Sequence, residues 1–205
     1  MENRMEKNYG NLSEAVAFQI AFDFMVYQYS DMNWYDVYEE ICTTCRVCRQ
    51  YKDFMAPKSS CKKDYSILDT CYYGISKEVM RALIENFDVT EDDFRPIRNK
   101  TGDIVYYQIT PRHTMLPIKS VNRIKELKPC RKCGSVQHRM KTYKNKQGAE
   151  YYYITKEALE DMHDINETYE KFDIFIPEFI VSRRVYDYLI ERYPRMRFIP
   201  LFLAE

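Results

Sequence analysis

Apolar and polar residues alternate along the stretch that follows the polar first 11 residues of this chain. The apolar positions are Val16, Phe18, Ile20, Phe22, Phe24 and Val26. A period of two residues is typical of a half-buried strand, so residues 15–27 are predicted to form one. A helix is the alternative, because Ser13 followed by Glu14 can begin one and apolar residues recur at helical spacing from Phe18 to Tyr29. Either element would place these apolar side chains in the core.

A helical pattern is clearest in residues 74–87. Ser76 is placed to accept hydrogen bonds from the free N–H groups of a first turn. The apolar stripe of this helix consists of Val79, Leu83 and Phe87. Runs rich in β-branched and aromatic residues at 94–97 and 104–109 follow. The pattern predicts a capped amphipathic helix followed by strands.

A hairpin and a short helix are predicted farther along the chain. Residues 136–143 and 150–154 are strand-like and flank the polar turn 144–148. Thr155 is positioned to cap a helix that runs to about Met162. Because the hairpin follows a cysteine turn directly, it is predicted to have the form of a zinc ribbon.

The C-terminal segment repeats the first helical unit. Counting from Ser76 and from Ser182, valine is third, Leu-Ile-Glu is seventh to ninth and an aromatic residue is eleventh, and both copies end in Phe-x-Pro. Each copy also follows a Cys-x-x-Cys turn. We therefore predict two related halves, at about 41–110 and 129–205, each with a cysteine knuckle, a serine-capped helix and short strands. Chance similarity of two amphipathic helices is the alternative.

Two Cys-x-x-Cys turns form a candidate metal site. Their cysteines are Cys42, Cys45, Cys130 and Cys133. Zinc takes four soft ligands in a tetrahedron, with sulfur about 2.3 Å from the metal, and each turn supplies two. Four thiolates leave no position for water, so the zinc is predicted to be structural. A rival set includes Cys48, which follows Cys45 with the same spacing, whereas Cys61 and Cys71 are interpreted as free thiols or small buried residues.

Composition limits the class of protein. The 205 residues are 45% hydrophobic, which is compatible with one domain spanning 1–205. The 31 basic and 31 acidic residues balance, so the overall charge does not favour nucleic acid or an anionic membrane. Gln19 and Asp23 interrupt the apolar N-terminal stretch, so neither a signal peptide nor a membrane span is predicted. The seven cysteines cannot all pair within the chain, and we expect a cytoplasmic protein with thiols and metal ligands.

The remaining candidate chemistry is sparse. The histidines are His113, His138 and His163. They have neither HExxH spacing nor a neighbouring carboxylate pattern, and all three are predicted to be exposed. With five glycines and no phosphate-binding motif, a nucleotide site is not expected. These features predict a protein that is not an enzyme.

The two cysteine knuckles and the closing segment 179–201 resemble bacterial double-CXXCG proteins and related immunity proteins of polymorphic toxin systems. The resemblance covers roughly half of the 205 residues, and Arg46 stands where the first knuckle of that pattern has glycine. It implies a non-enzymatic protein that binds and neutralises a cognate toxin domain.

The sequence therefore predicts an α+β fold of two related halves joined by a structural zinc, and three functions compete. An immunity-like protein that occludes a toxin is favoured, because 19 tyrosines suit a protein interface. A zinc-ribbon nucleic-acid binder is the alternative. Its basic residues are Arg131, Lys132, Arg139, Lys141, Lys144 and Lys146. A thiol enzyme using Cys48 or Cys61 is the third hypothesis and requires a low thiol pKa.

Overall fold

The computed structural model gives an α+β fold in which strands predominate. It describes residues 4–9, 12–21, 38–39, 42–45, 50–51, 54–55, 65–69, 72–98, 101–172, 176–194 and 196–205. The helices are α1 (Arg4–Tyr9), α2 (Lys77–Asn86), α3 (Lys156–Asp161) and α4 (Arg183–Arg192). In these ranges no helix has the length and apolar character needed to cross a membrane.

The strands form three sheets. Those before α2 are β1 (Ala15–Ala21), β2 (Tyr38–Glu39), β3 (Gln50–Tyr51), β4 (Phe54–Met55), β5 (Tyr65–Asp69) and β6 (Tyr72–Ile75). Those between α2 and α3 are β7 (Phe94–Arg98), β8 (Ile104–Ile109), β9 (Arg123–Glu126), β10 (His138–Lys141), β11 (Tyr143–Lys144) and β12 (Glu150–Ile154). The last are β13 (Ile165–Phe172), β14 (Ile176–Ser182) and β15 (Arg197–Leu203). The sheet orders are β11-β12-β15-β1-β14-β13-β10-β9, β4-β7-β8-β6-β5 and β2-β3.

The first apolar stretch forms strand β1, which confirms the strand prediction over residues 15–21 and excludes the helical alternative there. The rest of the predicted strand, 22–27, lies outside the described residues. The expectation that β1 is half-buried is wrong. Phe18 is 0% exposed, and on the opposite face of the strand Ala17 is 0% exposed and Gln19 is 6% exposed. Both faces of β1 are covered, since Phe18 packs in the main core and Ala17 in a second core cluster.

The main core joins the two large sheets. It contains side chains from α1, α2 and α4 and from strands of both sheets. Its largest fully buried members are Phe18, Phe179, Phe198, Ile20, Ile75, Leu83 and Ile109. The second cluster, on the other face of the eight-stranded sheet, includes Met115, Ile118 and Ala158 of α3. The eight-stranded sheet is therefore packed on both faces around β1.

The helix predictions are confirmed. Ser76 Oγ accepts a hydrogen bond from Val79 N at 3.3 Å, and Ser182 Oγ accepts one from Val185 N at 3.4 Å. Thr155 caps α3 in the same way, by accepting from the backbone N–H three residues later at 3.1 Å. Each cap satisfies an N–H group that a first helical turn leaves free.

The predicted hairpin is only partly present. The turn at 145–149 is closed by a bond from Asn145 N to Ala149 O of 2.9 Å, and β11 pairs with β12. The upstream arm, however, pairs as β10 with β9 and not with β12. Strand β9 was not among the predicted strands, because its apolar content is limited to one residue, Ile124.

Asp164 connects the two serine-capped helices, α2 and α4. Its carboxylate is 4% exposed and accepts hydrogen bonds from Ser182 Oγ at 2.6 Å and from Asp88 N, just beyond α2, at 2.8 Å. Arg184 adds two contacts, one of them from Nε at 2.7 Å. Burial alone raises the pKa of Asp164, but the hydrogen bonds from Arg184, Ser182 and Asp88 outweigh it, and the pKa lies below its usual value.

The five-stranded sheet has the same arrangement as five neighbouring strands of the larger sheet. The first runs β4-β7-β8-β6-β5 and the second β12-β15-β1-β14-β13. In both, the first pair is parallel and the other three pairs are antiparallel. In both, a capped helix connects the two strands that flank the central one, α2 between β6 and β7 and α4 between β14 and β15. The central strands differ in origin, since β8 follows β7 directly whereas β1 comes from the N-terminal region.

The pairing register at the central strands is also the same. Phe18 of β1 lies opposite Pro200, and Tyr107 of β8 lies opposite Pro96. Proline has no N–H, so neither Pro200 nor Pro96 can donate a hydrogen bond to the strand on the side away from the central strand. Accordingly, the parallel pairing of β12 begins at Leu201, the residue after Pro200, and the described pairing of β4 begins at Ile97, the residue after Pro96. In both sheets the described parallel pairing thus follows the Phe-x-Pro motif.

Candidate metal centre

Each predicted cysteine pair lies in the turn between two antiparallel strands. Cys42 and Cys45 lie between β2 and β3, and Cys130 and Cys133 lie between β9 and β10. The base of the second turn is closed by a hydrogen bond from Leu127 N to the Gln137 carbonyl of 2.8 Å. The cysteines are therefore presented at the ends of two hairpins.

The backbone of the second knuckle requires its glycine. Gly134 has φ of +74°, and its N–H donates to the Cys130 carbonyl at 2.8 Å. Cys130 N in turn donates to the Ser135 carbonyl at 2.9 Å. A positive φ is readily adopted by glycine and disfavoured for residues with a Cβ. Arg46, at the corresponding place after the first knuckle, lies outside the described residues.

The four sulfur atoms lie at distances that suit one metal ion. Cys42 Sγ is 3.9 Å from Cys130 Sγ, and Cys45 Sγ is 3.4 Å from Cys133 Sγ. All four sulfurs lie within 4.8 Å of one another. A regular tetrahedron with metal–sulfur bonds of about 2.3 Å has sulfur–sulfur edges of about 3.8 Å. The observed separations bracket that value and are far longer than the S–S bond of about 2.0 Å in a disulfide.

The local hydrogen bonds favour thiolate over thiol. The side chain and then the backbone N–H of Ser135 lower the pKa of Cys133 to about 6, and Cys133 Sγ lies 3.3 Å from Ser135 Oγ. The backbone N–H of Cys45 is the main cause that lowers the pKa of Cys42. Thiolate is the form that binds metal, so the knuckle backbone prepares its sulfurs for a cation.

A polar contact joins the two knuckles beside the sulfurs. Lys132 Nζ donates to Thr43 Oγ1 at 2.8 Å, although these residues are far apart in the sequence. Cys42 is 8% exposed, and the other three cysteines are half-buried and pack against it. The cluster is thus a small separate core between the hairpins.

The structure brings together all four predicted ligands. Within the described ranges they are the one group of three or more potential ligands close enough to hold a metal ion. The rival ligand Cys48, the interpreted free thiols Cys61 and Cys71 and the thiol-enzyme hypothesis all concern residues outside those ranges. The four-cysteine cluster is compatible with a metal site.

The histidines only partly match the prediction that they are exposed. For His138 the prediction is wrong, because it is 6% exposed and its Nδ1 accepts a hydrogen bond from Lys171 N at 3.3 Å. His113 and His163 stack on each other with ring centroids 4.3 Å apart, and His113 Nε2 lies 3.1 Å from Asp161 Oδ2. Each of the three histidine rings therefore contacts other groups of the protein, through a hydrogen bond, ring stacking or an ion pair.

Two features near the four cysteines were not predicted from the sequence. Ser135, which lowers the pKa of Cys133, gave no signal because a single serine has no spacing that points to a metal site. The basic residues Arg123 and Lys125 on β9 were also missed. They are two residues apart, as are Arg139 and Lys141, and this period of two is a strand signal that could have found them.

Comparisons with protein-family models, with curated proteins and with solved structures found no match.

Proposed function

We propose that Cys42, Cys45, Cys130 and Cys133 bind one structural zinc ion. The observation that carries this proposal is the set of four sulfurs within 4.8 Å, drawn from two distant hairpins. Tetrahedral thiolate sites are typical of zinc, and with four protein ligands the ion has no position left for substrate or water. The zinc then holds two parts of one fold together and has no catalytic role.

Metal analysis of the protein purified under reducing conditions tests the zinc. We expect one zinc per chain, its loss in Cys130→Ser, and its retention in the control Cys48→Ser. A structural zinc contributes on the order of 10 kcal/mol to folding, and 1 kcal/mol corresponds to about 2–4 °C in a domain of this size. The thermal midpoint of Cys130→Ser should therefore fall by about 20 °C or more. A metal-free wild type, or full zinc content in Cys130→Ser, would contradict the assignment.

We also infer that the chain contains two related halves, each with a zinc-ribbon-like hairpin. The support is the matching strand order and direction of the two sheets and the common register at Pro96 and Pro200. A buried glutamine, Gln19 or Gln108, follows the residue opposite each proline. If the two sheets correspond, the first half extends upstream to β1 and the second half begins at β8. Each half then contains, in chain order, a central strand, a hairpin with a cysteine knuckle, further strands, a serine-capped helix and a last strand.

On this scheme the halves have exchanged their central strands. Strand β1 of the first half lies between β14 and β15 of the second, and β8 of the second lies between β6 and β7 of the first. The proposed zinc, with two ligands from each half, is a second connection between the halves, in addition to the exchanged strands. On this scheme the two halves would form one structural unit, and a single domain over 1–205 stays our prediction.

For the whole protein we propose a non-enzymatic, immunity-like function: it binds and neutralises a cognate bacterial toxin domain by occlusion. The support is the resemblance of the knuckles and of the closing Ser-capped unit to double-CXXCG and immunity proteins. The thiolates of the cluster are all used as ligands, which agrees with a binding role. A cytoplasmic location would suit a protein that protects the cell producing it.

Coexpression tests the immunity proposal. The genes on either side of this one are first searched for a protein with a toxin-like C-terminal domain. That domain is then expressed with and without the wild-type protein, and growth is measured. We expect wild type to restore growth and to form a complex of defined size with the purified domain, and Cys130→Ser to do neither. Continued toxicity and no complex with folded, zinc-loaded wild type would refute the proposal without affecting the zinc assignment.

A further inference from the structure

Positive charge is concentrated in the part of the chain that carries the second knuckle. Residues 119–147 contain ten of the 31 basic residues and only one of the 31 acidic residues, Glu126. The chain as a whole is neutral, so the remainder carries the compensating excess of acid. The neutral average therefore conceals a strongly basic segment.

The fold gathers four of these cations on one surface, which we call the cationic face. It consists of Arg123 and Lys125 of β9 and Arg139 and Lys141 of β10. All four are exposed, and Arg139 lies directly opposite Lys125, as Lys141 lies opposite Arg123. Like charges directly opposite each other on paired strands are destabilising. The residues that point the other way, including Ile124 and Met140, pack against the second core cluster.

The described part of the chain offers the cationic face no carboxylate. None of its four side chains forms an ion pair with a described residue. The one acidic residue of the segment, Glu126, is bound instead to Lys119, with Nζ 2.5 Å from Oε1. Among the described residues, therefore, nothing relieves the like-charge repulsion on this face, which makes it a favourable place for an external anion.

Aromatic rings border the cationic face and orient one of its cations. The guanidinium carbon of Arg123 lies 5.0 Å from the ring centroid of Tyr143. Tyr143 stacks on Tyr151, with centroids 5.6 Å apart, and meets Tyr153 edge to face at 5.1 Å. A cation–π contact of this kind restricts the side chain before any ligand binds. The three half-buried tyrosines continue the surface from β9 towards β12.

We propose that the cationic face binds the phosphate backbone of single-stranded nucleic acid, with the tyrosine group beside it contacting bases. Neutralisation of phosphates by Lys and Arg releases counterions, and basic surfaces beside aromatic rings are typical of single-strand binders. Protein interfaces are depleted in lysine but enriched in arginine and tyrosine, so the residue types alone do not separate the two partners. The row of like charges favours nucleic acid, because it matches the regular negative charge of a phosphate backbone. Protection of a sheet edge does not account for the pattern either, since β10 is not the edge strand and carries half of the cations. The proposal does not rest on the immunity function.

Fluorescence anisotropy with the zinc-loaded full chain tests the proposal. The probe is a labelled poly-dT oligonucleotide of about 20 nucleotides, with a hairpin duplex and polyglutamate as competitors. With four phosphate contacts on a single strand, the logarithm of affinity should fall with the logarithm of salt concentration with a slope of about −3. The variant with Arg123, Lys125, Arg139 and Lys141 all changed to Gln should bind at least tenfold more weakly, with a slope near zero.

A matched variant separates local contacts from net charge. Changing Lys77, Arg81, Arg98 and Lys156 to Gln removes the same charge from exposed positions elsewhere and should leave affinity within about twofold and the slope unchanged. If the fourfold variant of the cationic face does not fold, the pair Arg139→Gln and Lys141→Gln replaces it, with half the loss of slope expected. Tyr143→Leu, which frees Arg123, should weaken binding several-fold.

Three results would overturn the proposal. One is no binding of the oligonucleotide by wild type at low salt. Another is an equal loss of affinity in the two fourfold variants, which would mean a general charge effect. The third is competition by polyglutamate or by duplex as strong as that by single strand, which would assign the face to an acidic protein or to double-stranded nucleic acid.

Discussion

Asp164 is the residue on which the junction of the two capped helices depends. It accepts hydrogen bonds from a cap serine, from a backbone N–H beyond α2 and from Arg184. Its replacement by Asn leaves buried donors without a charged acceptor, and a hydrogen bond to a charged group contributes about 1.5–3 kcal/mol. We expect Asp164→Asn to lower the free energy of unfolding at pH 7 by about 2 kcal/mol, measured by urea denaturation.

The same carboxylate predicts a pH dependence. Because the pKa of Asp164 is lowered in the folded protein, its contribution is present above the unfolded value of about 3.9 and is lost as pH falls through the folded value. The difference between wild type and Asp164→Asn should therefore narrow below about pH 4. Asp187→Asn, which removes an exposed i, i+4 ion pair, is the control and should change stability by less than about 0.5 kcal/mol. A gap that stays constant down to acid pH would show that the charge of Asp164 is not responsible.

Some of the important residues have a local signal in the sequence and others do not. The four clustered cysteines were predicted because two cysteines separated by two residues are a local pattern, and two such pairs in one chain are typical of a metal site. Asp164 has no such pattern, since its partner Asp88 N is 76 residues away. The burial of His138 was missed for the same reason, because it depends on pairing with β13, which only the fold determines.

At the scale of elements, the serine caps define where α2 and α4 begin. Removing an N-cap hydroxyl costs about 1 kcal/mol. Ser182 also donates to Asp164, so we expect Ser182→Ala to lower the free energy of unfolding by more than Ser76→Ala. Exposed Ser120→Ala is the control and should have almost no effect. Equal losses at Ser76 and Ser182, in urea titrations with unchanged m-values, would argue against the added role of Ser182.

The helices could be predicted from sequence, whereas the strand neighbours could not. Caps and apolar stripes are local signals, and α2, α3 and α4 begin where Ser76, Thr155 and Ser182 predicted. Strand pairing is decided by tertiary packing, so the arm at 138–141 was assigned to the wrong partner. The half-buried pattern expected for β1 failed because α3 and the segment around Met115 cover its second face.

For the whole molecule, the crossing of central strands predicts that the chain stays together when it is cut. A protease site is placed in the exposed turn at 101–103, between β7 and β8. After cleavage the fragments should remain associated, even with zinc removed by chelator, because β1 lies in the sheet of the second fragment and β8 in that of the first. Size-exclusion chromatography measures the association. Prompt separation of the fragments in chelator alone would show that the zinc, and not the strands, holds them together.

The position of β1 also has a consequence for how the protein is made. As the chain leaves the ribosome, β8 follows its partners β6 and β7 and can pair at once, so the five-stranded sheet closes early. Strand β1 emerges well before its two neighbours in the sheet, because β14 ends at Ser182 and β15 at Leu203. At synthesis rates of about 5–20 residues per second, β1 waits on the order of ten seconds or longer without its partners. During that interval an apolar central strand is open to other chains, so a slowed ribosome near the C-terminus should increase aggregation of the newly made protein.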